Sequence, residues 1–233
     1  RIVDVFCGSR FGPIRNPGGM AVKRPITTLL CDVGGVMLTN GWDRQARAEA
    51  AKRFGLDAAE TDERHHLTFD AYEEGKLSLD EYLDRTVFYA PRSFDKATFR
   101  DFMLSRSAPL PDMLAYVRGL KARHGIRIVV VNNEGRELNE YRIRAFGLGC
   151  FVDAFVSSCF VHMRKPDADI FRMALDIAQT DAADAVYIDD RAMFVEVAAT
   201  LGIRGVVHRD AATTAKELAA LGRLAAARPA AVG

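Results

Sequence analysis

Four short polar clusters, each placed just beyond an apolar run or a break in the chain, carry the residues best equipped for chemistry. The first is Asp32, which closes Ile26-Thr27-Thr28-Leu29-Leu30-Cys31 and is followed by Val33-Gly34-Gly35-Val36. The second is Asn132-Asn133-Glu134-Gly135, directly after the β-branched run at 126–131. The third is His162-Met163-Arg164-Lys165-Pro166-Asp167, and the fourth is Asp189-Asp190 after Val186-Tyr187-Ile188. A carboxylate at the end of a buried strand is desolvated enough to act as a nucleophile or a metal ligand rather than as a solubilising charge. Each cluster alone also reads as a turn or a helix cap. Four at successive strand ends of one parallel sheet converge on a single crevice.

Such convergence needs elements in a particular order. From 126 onward, strands near 126–131, 154–158, 185–189 and 204–207 alternate with helices near 136–146, 167–178, 192–201 and 212–222. With the opening strand ending at Asp32, the pattern predicts an α/β fold: a Rossmann-like parallel sheet of about five strands with helices on both faces. Between the first strand and residue 108 the pattern is helical throughout, at 43–55, 58–75, 78–90 and 94–106. Ser78 and Glu81 form the capping-box pair of a helix start. Pro109 and Pro111 stop this block ahead of a helix at 112–123. The expected division is therefore an α/β core at 23–40 and 109–223, an inserted helical unit at 41–108 and a frayed Ala-rich tail at 224–233. Residues 1–22 read as a leader or appended remnant, with Met20 directly before the first patterned segment.

Composition narrows the partners. The 233 residues hold 32 basic and 31 acidic side chains, net +1, which favours neither nucleic acid nor an anionic membrane. Hydrophobic content of 49% and charged content of 27% are ordinary globular values. No apolar run approaches the ~20 residues needed to span a bilayer. The four cysteines, Cys7, Cys31, Cys150 and Cys159, form no CxxC pair, which points to a reducing, cytoplasmic setting. The expected partner is a small molecule, bound by a monomer or homodimer.

Over about residues 26–210 the four clusters resemble, in order and spacing, the motifs of the haloacid-dehalogenase-like hydrolases. Asp32-Val33-Gly34-Gly35-Val36 matches the first motif with one change, and Asn132-Asn133 stands where the second has Ser or Thr followed by Asn. Lys165-Pro166-Asp167, with Ile170-Phe171 beyond, matches the third, and Asp189-Asp190 the paired acids of the fourth. The resemblance implies a phosphatase-type enzyme acting on a small phosphate monoester through an aspartyl-phosphate on Asp32. It implies Mg²⁺ held by Asp32, the Gly34 carbonyl and Asp190, with Asp189 behind them holding Lys165. Catalytic roles fall to Asp32, Lys165 and Asn132, and phosphate contacts to Gly34, Asn132, Asn133 and Lys165. The block at 41–108 corresponds to a small helical cap over the crevice, where Trp42, Arg44, Arg64, His65 and His66 are candidates for substrate contact, Arg44 for the phosphate. His65 and His66, adjacent on a helix, are expected to diverge by about 100° rather than share a face.

Two departures bear on activity. Gly34 replaces the aspartate that protonates the leaving alcohol and activates water, a loss on the order of 10²–10⁴ in rate. Family members resembling sugar-1-phosphate phosphatases also carry Gly there. Asn132 replaces a hydroxyl with a bulkier amide that still donates hydrogen bonds. Glu134 is a candidate for the missing acid, against its reading as an ordinary helix-start glutamate. The rivals are a catalytically silent phosphate-ligand binder, which Gly34 and Asn132 favour, and a haloacid dehalogenase, against which the paired acids argue.

Overall fold

The computed structural model describes residues 24–225. The expected leader at 1–22, and the tail beyond Ala225, lie outside the described residues. Five parallel strands form one sheet: β1 (Thr28–Cys31), β2 (Arg127–Asn132), β3 (Ala154–Ser157), β4 (Ala185–Asp189) and β5 (Arg204–Val207), in the order β3-β2-β1-β4-β5. The chain builds outward from β1 through β2 to β3, then returns to place β4 on the other side of β1. The order therefore reverses beside β1, and the crevice at such a reversal lies at the carboxyl ends of the strands. The register aligns Cys31 with Val130 and with Ile188, so Asp32 and Asp189 leave neighbouring strands at the same level.

The apolar runs are continuous because both faces of the sheet are covered. Leu29, Cys31, Ile128, Val130 and Ile188 face one side, where helix α5 (Pro111–His124) supplies Met113 and Val117. Leu30, Val129, Val131 and Tyr187 face the other, against α8 (Ala168–Ala178) and α9 (Ala192–Thr200). Helices α6 (Arg136–Ala145) and α10 (Ala211–Leu221) complete the alternation.

Four helices stand between β1 and α5: α1 (Arg44–Phe54), α2 (Ala58–Glu73), α3 (Leu79–Thr86) and α4 (Lys96–Ser105). They share a hydrophobic cluster of their own, built on Tyr72, Tyr82, Leu83, Phe99 and Met103, to which α6 contributes Leu138. The expected capping box is present, the Glu81 side chain accepting from Ser78 N–H while Ser78 Oγ accepts from Glu81 N–H. Three expectations need correction. Helix α3 ends at Thr86 rather than near 90, where Pro91 disfavours helical backbone before it and Arg92 binds the Val87 carbonyl. The strand expected at 154–158 ends at Ser157, and Ser158 opens a single helical turn, α7 (Ser158–Val161). The start of the tail is held rather than frayed, because Ala225 N–H donates to the Ile26 carbonyl beside an Ile26–Leu224 bridge.

Candidate active site

Asp32 follows β1, and its N–H donates to the Ile188 carbonyl at 2.9 Å, which extends the sheet register into the site. Beyond it the chain folds tightly, with Leu38 N–H on the Val33 carbonyl and Gly35 N–H on the Leu38 carbonyl. Gly35 has φ +69°, and a Cβ there would overlap the Asp190 carboxylate. The glycine thus serves both a left-handed backbone and the close approach of the acid.

Lys165 is almost completely buried, 1% exposed, beside the fully buried Asp189. Its ammonium lies 2.7 Å from Asp189 Oδ2, 3.1 Å from Asp32 Oδ1 and 3.0 Å from the Tyr187 hydroxyl, so all three protons have a partner. Both oxygens of Asp189 are engaged: Oδ2 also accepts from Tyr187, and Oδ1 accepts from Arg191 N–H at 2.8 Å. Asp190 is only half engaged, by Asn40 Nδ2 at 3.3 Å. Oxygens of Asp32, Asp189 and Asp190 lie within 4.8 Å of one another.

The electrostatics follow from burial. Desolvation pushes the Asp32 carboxyl up to about 6, with Lys165 opposing and Asp189 reinforcing the rise. Desolvation alone would lower the Lys165 pKa, but Asp32 and Asp189 outweigh it and keep the ammonium charged. Asp190 is also raised, chiefly by burial.

The loop after β2 departs from expectation. Both side-chain atoms of Asn133 are spent on the Lys165 peptide, accepting from its N–H and donating to its carbonyl, each at 2.8 Å. Asn133 is therefore a clamp on the lysine, while it also lines the cavity with one amide N–H uncommitted to that peptide. Asn132 Nδ2 donates to Asn139 Oδ1 at 3.1 Å, while Asn132 Oδ1 and Asn139 Nδ2 are buried without partners. Turning both amides end for end keeps the bond between them and frees the Asn132 NH₂ as a donor. Glu134 is buried and ion-paired with Arg142, and Gly135 rather than Glu134 caps α6.

These groups line a cavity of about 540 Å³ whose other wall comes from the first two helices of the inserted block. Trp42, Arg44, His65, His66, Phe69 and Tyr72 contribute there. His65 and His66 both line it despite their expected divergence, since α2 runs along the opening. His65 Nδ1 lies 2.8 Å from the Tyr82 hydroxyl, and burial with the Arg47 charge lowers its pKa to about 3. Arg44 is exposed and has no ion pair among the described residues. Arg64 is not at the cavity: it stacks on Tyr89 and binds Glu60 and the Arg85 carbonyl, contrary to expectation.

The helical wall is fastened to the core along one edge. Ser158 Oγ donates to the Glu73 carbonyl and His162 Nδ1 to the Glu74 carbonyl, both at 2.7 Å. Arg164 pairs with Asp70 and Glu73, and the Tyr72 ring lies so close to Gly135 that no Cβ fits between them. Sequence reading missed Arg142 and Arg164 as site residues. The available signal was on α6, where Asn139 and Arg142 share the buried face with Leu138.

The family model for haloacid dehalogenase-like hydrolases matches residues 26–202. The chain belongs to the haloacid dehalogenase-like hydrolases. This hydrolase is 26% identical to Flavin mononucleotide hydrolase 1 of Arabidopsis thaliana over 203 residues, which is 86% of this chain and 79% of that protein. It is also 26% identical to a sesquiterpene phosphatase of Aspergillus oryzae over 155 residues, 65% of this chain and 77% of the relative. Among solved structures, a haloacid-dehalogenase-family enzyme of Bacteroides thetaiotaomicron, in complex with magnesium and inorganic phosphate, aligns with a TM-score of 0.66 at 20% identity. The alignment covers 79% of this chain and 94% of that one. A related hydrolase of Porphyromonas gingivalis gives a TM-score of 0.67 at 20% identity, covering 85% and 98%. At such identities these two structures speak for the fold, while the sequence relatives place phosphatases around this dehalogenase-like hydrolase. Among the described residues, no helix is long and apolar enough to cross a membrane.

Proposed function

We propose that this hydrolase cleaves a small phosphate monoester, such as a sugar phosphate, in a Mg²⁺-dependent reaction with Asp32 as the nucleophile. The observation that carries the reading is the buried Asp32 at the end of β1, with the Lys165 ammonium 3.1 Å away and Asp189 and Asp190 beside it. The donor set fits the ion: Asp32, the Gly34 carbonyl and Asp190 offer hard oxygens, and Gly35 leaves the room a side chain would fill. When bound there, magnesium supplies positive charge against the phosphate oxygens. Asp189, with both oxygens engaged by Lys165, Tyr187 and Arg191, serves by holding the lysine.

The chain's own groups account for the rest of the reaction. Asp32 attacks phosphorus to give an aspartyl-phosphate, which water then hydrolyses. Lys165 offsets the carboxylates crowded around the transferring group and keeps its charge through both steps. Asn132, with its amide turned, donates to a phosphate oxygen. The helical block acts as a cap that excludes water and selects the alcohol part of the ester, with Arg44 at the phosphate side. Relatives that act on flavin mononucleotide and on sesquiterpene phosphates support a phosphate ester over a haloacid. The free thiols Cys31, Cys150 and Cys159 support a reducing, cytoplasmic setting.

The test is phosphate release over a panel of sugar monophosphates, nucleotide monophosphates and flavin mononucleotide, with Mg²⁺ or EDTA, beside Asp32→Asn. Metal-dependent release that vanishes in the variant is expected. Silence across the panel, with phosphate still raising the melting temperature, transfers the assignment to a phosphate-ligand binder.

A further inference from the structure

The site lacks a side chain at the position from which an acid would protonate the leaving alcohol. A Cβ built on Gly34 would stand 3.1 Å from Asn40 Oδ1 and 3.8 Å from Arg142 Nη1. The space is therefore already lined by polar groups belonging to other segments. Arg142 is itself buried, donates to the Thr39 carbonyl, and pairs with Glu134 Oε2. Glu134 lines the same cavity as Asp32 and Gly34. Its Oε1 has no hydrogen-bond partner among the described residues, while its backbone N–H is fixed at 3.0 Å on Ser158 Oγ. A carboxylate with one oxygen anchored and the other open to a reaction cavity is placed to exchange a proton with whatever occupies that cavity.

We propose that Glu134 is the general acid and base of this hydrolase, taking over the work for which Gly34 has no side chain, with Arg142 as its positioning residue. The inference rests on the phosphatase reading. In the first step an Asp32 oxygen forms a bond to phosphorus while the bond from phosphorus to the ester oxygen breaks. The Glu134 carboxyl gives its proton to that oxygen, so the product leaves as a neutral alcohol and Glu134 becomes a carboxylate. In the second step water attacks phosphorus, its proton passes to Glu134, and the Asp32–phosphorus bond breaks to release inorganic phosphate. Both side chains return to their starting states.

The surroundings suit a group that must hold and release a proton near neutrality. Burial pushes Glu134 up to about 7, against the pull of Arg142. The ionisable groups around it are Arg142 from α6, Glu73 and Tyr72 from α2, Asp32 after β1, and Cys159 from α7. Glu73 and Asp32 both oppose its ionisation.

Leaving-group dependence separates this role from a purely structural ion pair. Glu134→Gln keeps the shape and an acceptor for Arg142 but carries no exchangeable acid. With a simple alkyl phosphate, whose alkoxide leaves poorly unless protonated, kcat/KM is expected to fall on the order of 10²–10⁴-fold. With p-nitrophenyl phosphate, whose phenolate leaves unaided, kcat/KM is expected to change by less than about tenfold. The variant should instead show a burst of one nitrophenolate per active site, because hydrolysis of the aspartyl-phosphate has lost its base. Glu134→Asp, which keeps an acid, should recover part of the alkyl-phosphate activity. Equal losses on both substrates without a burst, or no loss on either, would overturn the assignment while leaving the phosphatase intact. A wild-type chain that releases no nitrophenolate overturns the phosphatase reading itself, and this role with it. If Glu134→Gln does not fold, the same substrate comparison on Glu134→Asp decides: a larger loss on the alkyl ester supports the role, and equal losses refute it.

Discussion

Replacing Lys165 with methionine tests how the site is held together, independently of any substrate. Methionine matches the lysine stem in length but removes the charge that sits between two buried carboxylates. At an effective dielectric of about 20, charges 2.7 Å and 3.1 Å apart attract by about 6 and about 5 kcal/mol respectively. Several kcal/mol of desolvation on the ammonium offsets much of this, so the intact triad adds little net stability. Removing one member is different, because Asp32 and the fully buried Asp189 then face each other without a counter-charge. The expected cost is about 3–5 kcal/mol, a large share of the roughly 5–15 kcal/mol that stabilises a typical domain. Urea unfolding at pH 8, followed by circular dichroism, measures it. The double variant Lys165→Met/Asp189→Asn removes one of the stranded charges and should regain at least about 1 kcal/mol over the single one. The reasoning fails if Lys165→Met unfolds within about 1 kcal/mol of wild type, or if the double variant is the less stable of the two.

Gly35→Ala forces φ +69° on an L-residue, at about 1–2 kcal/mol, and drives its Cβ into the Asp190 carboxylate. Mg²⁺ affinity by calorimetric titration should weaken at least about tenfold, and an unchanged titration would show that Asp190 has no part in holding the ion. His65 supplies an acid limit to stability: the folded protein keeps the ring neutral down to about pH 3, whereas the unfolded chain protonates it near 6.5. Its contribution is complete above pH 6.5 and is lost as the pH falls toward 3, reaching a deficit of about 2 kcal/mol at pH 5. Glu or Asp titration elsewhere is common to both proteins, so unfolding of His65→Gln between pH 7 and 5 should lose less stability than wild type by that amount. Parallel curves would exclude His65 as the cause.

The parts of the site legible in the sequence are those that a single strand end displays. Asp32, Asn132 and Asp189 each terminate or follow a run whose apolar, β-branched composition announces a buried parallel strand, and the order of strands fixes that they meet. Lys165 was legible for a different reason, its Pro-Asp neighbours and its resemblance to a known motif. What escaped was set by lateral contact between distant segments. Nothing local to Asn133 says that its amide will clasp a peptide 32 residues later. Nor does Arg64 announce that it turns to Tyr89 and away from the cavity, because a helix face shows its direction only once its neighbours are in place. Glu134 was ambiguous for the same reason: its partner Arg142 lies eight residues on, across a glycine cap that separates loop from helix.

Arg164 and Lys165 are adjacent in the chain yet answer to opposite sides of the molecule, one to the acids of α2 and the other to those of the sheet. Left alone, one peptide bond would transmit every displacement of the helical wall straight to the ammonium beside Asp32. The two hydrogen bonds from Asn133 to the Lys165 peptide interrupt that transmission, because they moor the lysine backbone to the end of β2. Asn133 therefore acts as a mechanical insulator. Changes of side chain in the wall would then leave the spacing of Lys165, Asp32 and Asp189 unaltered.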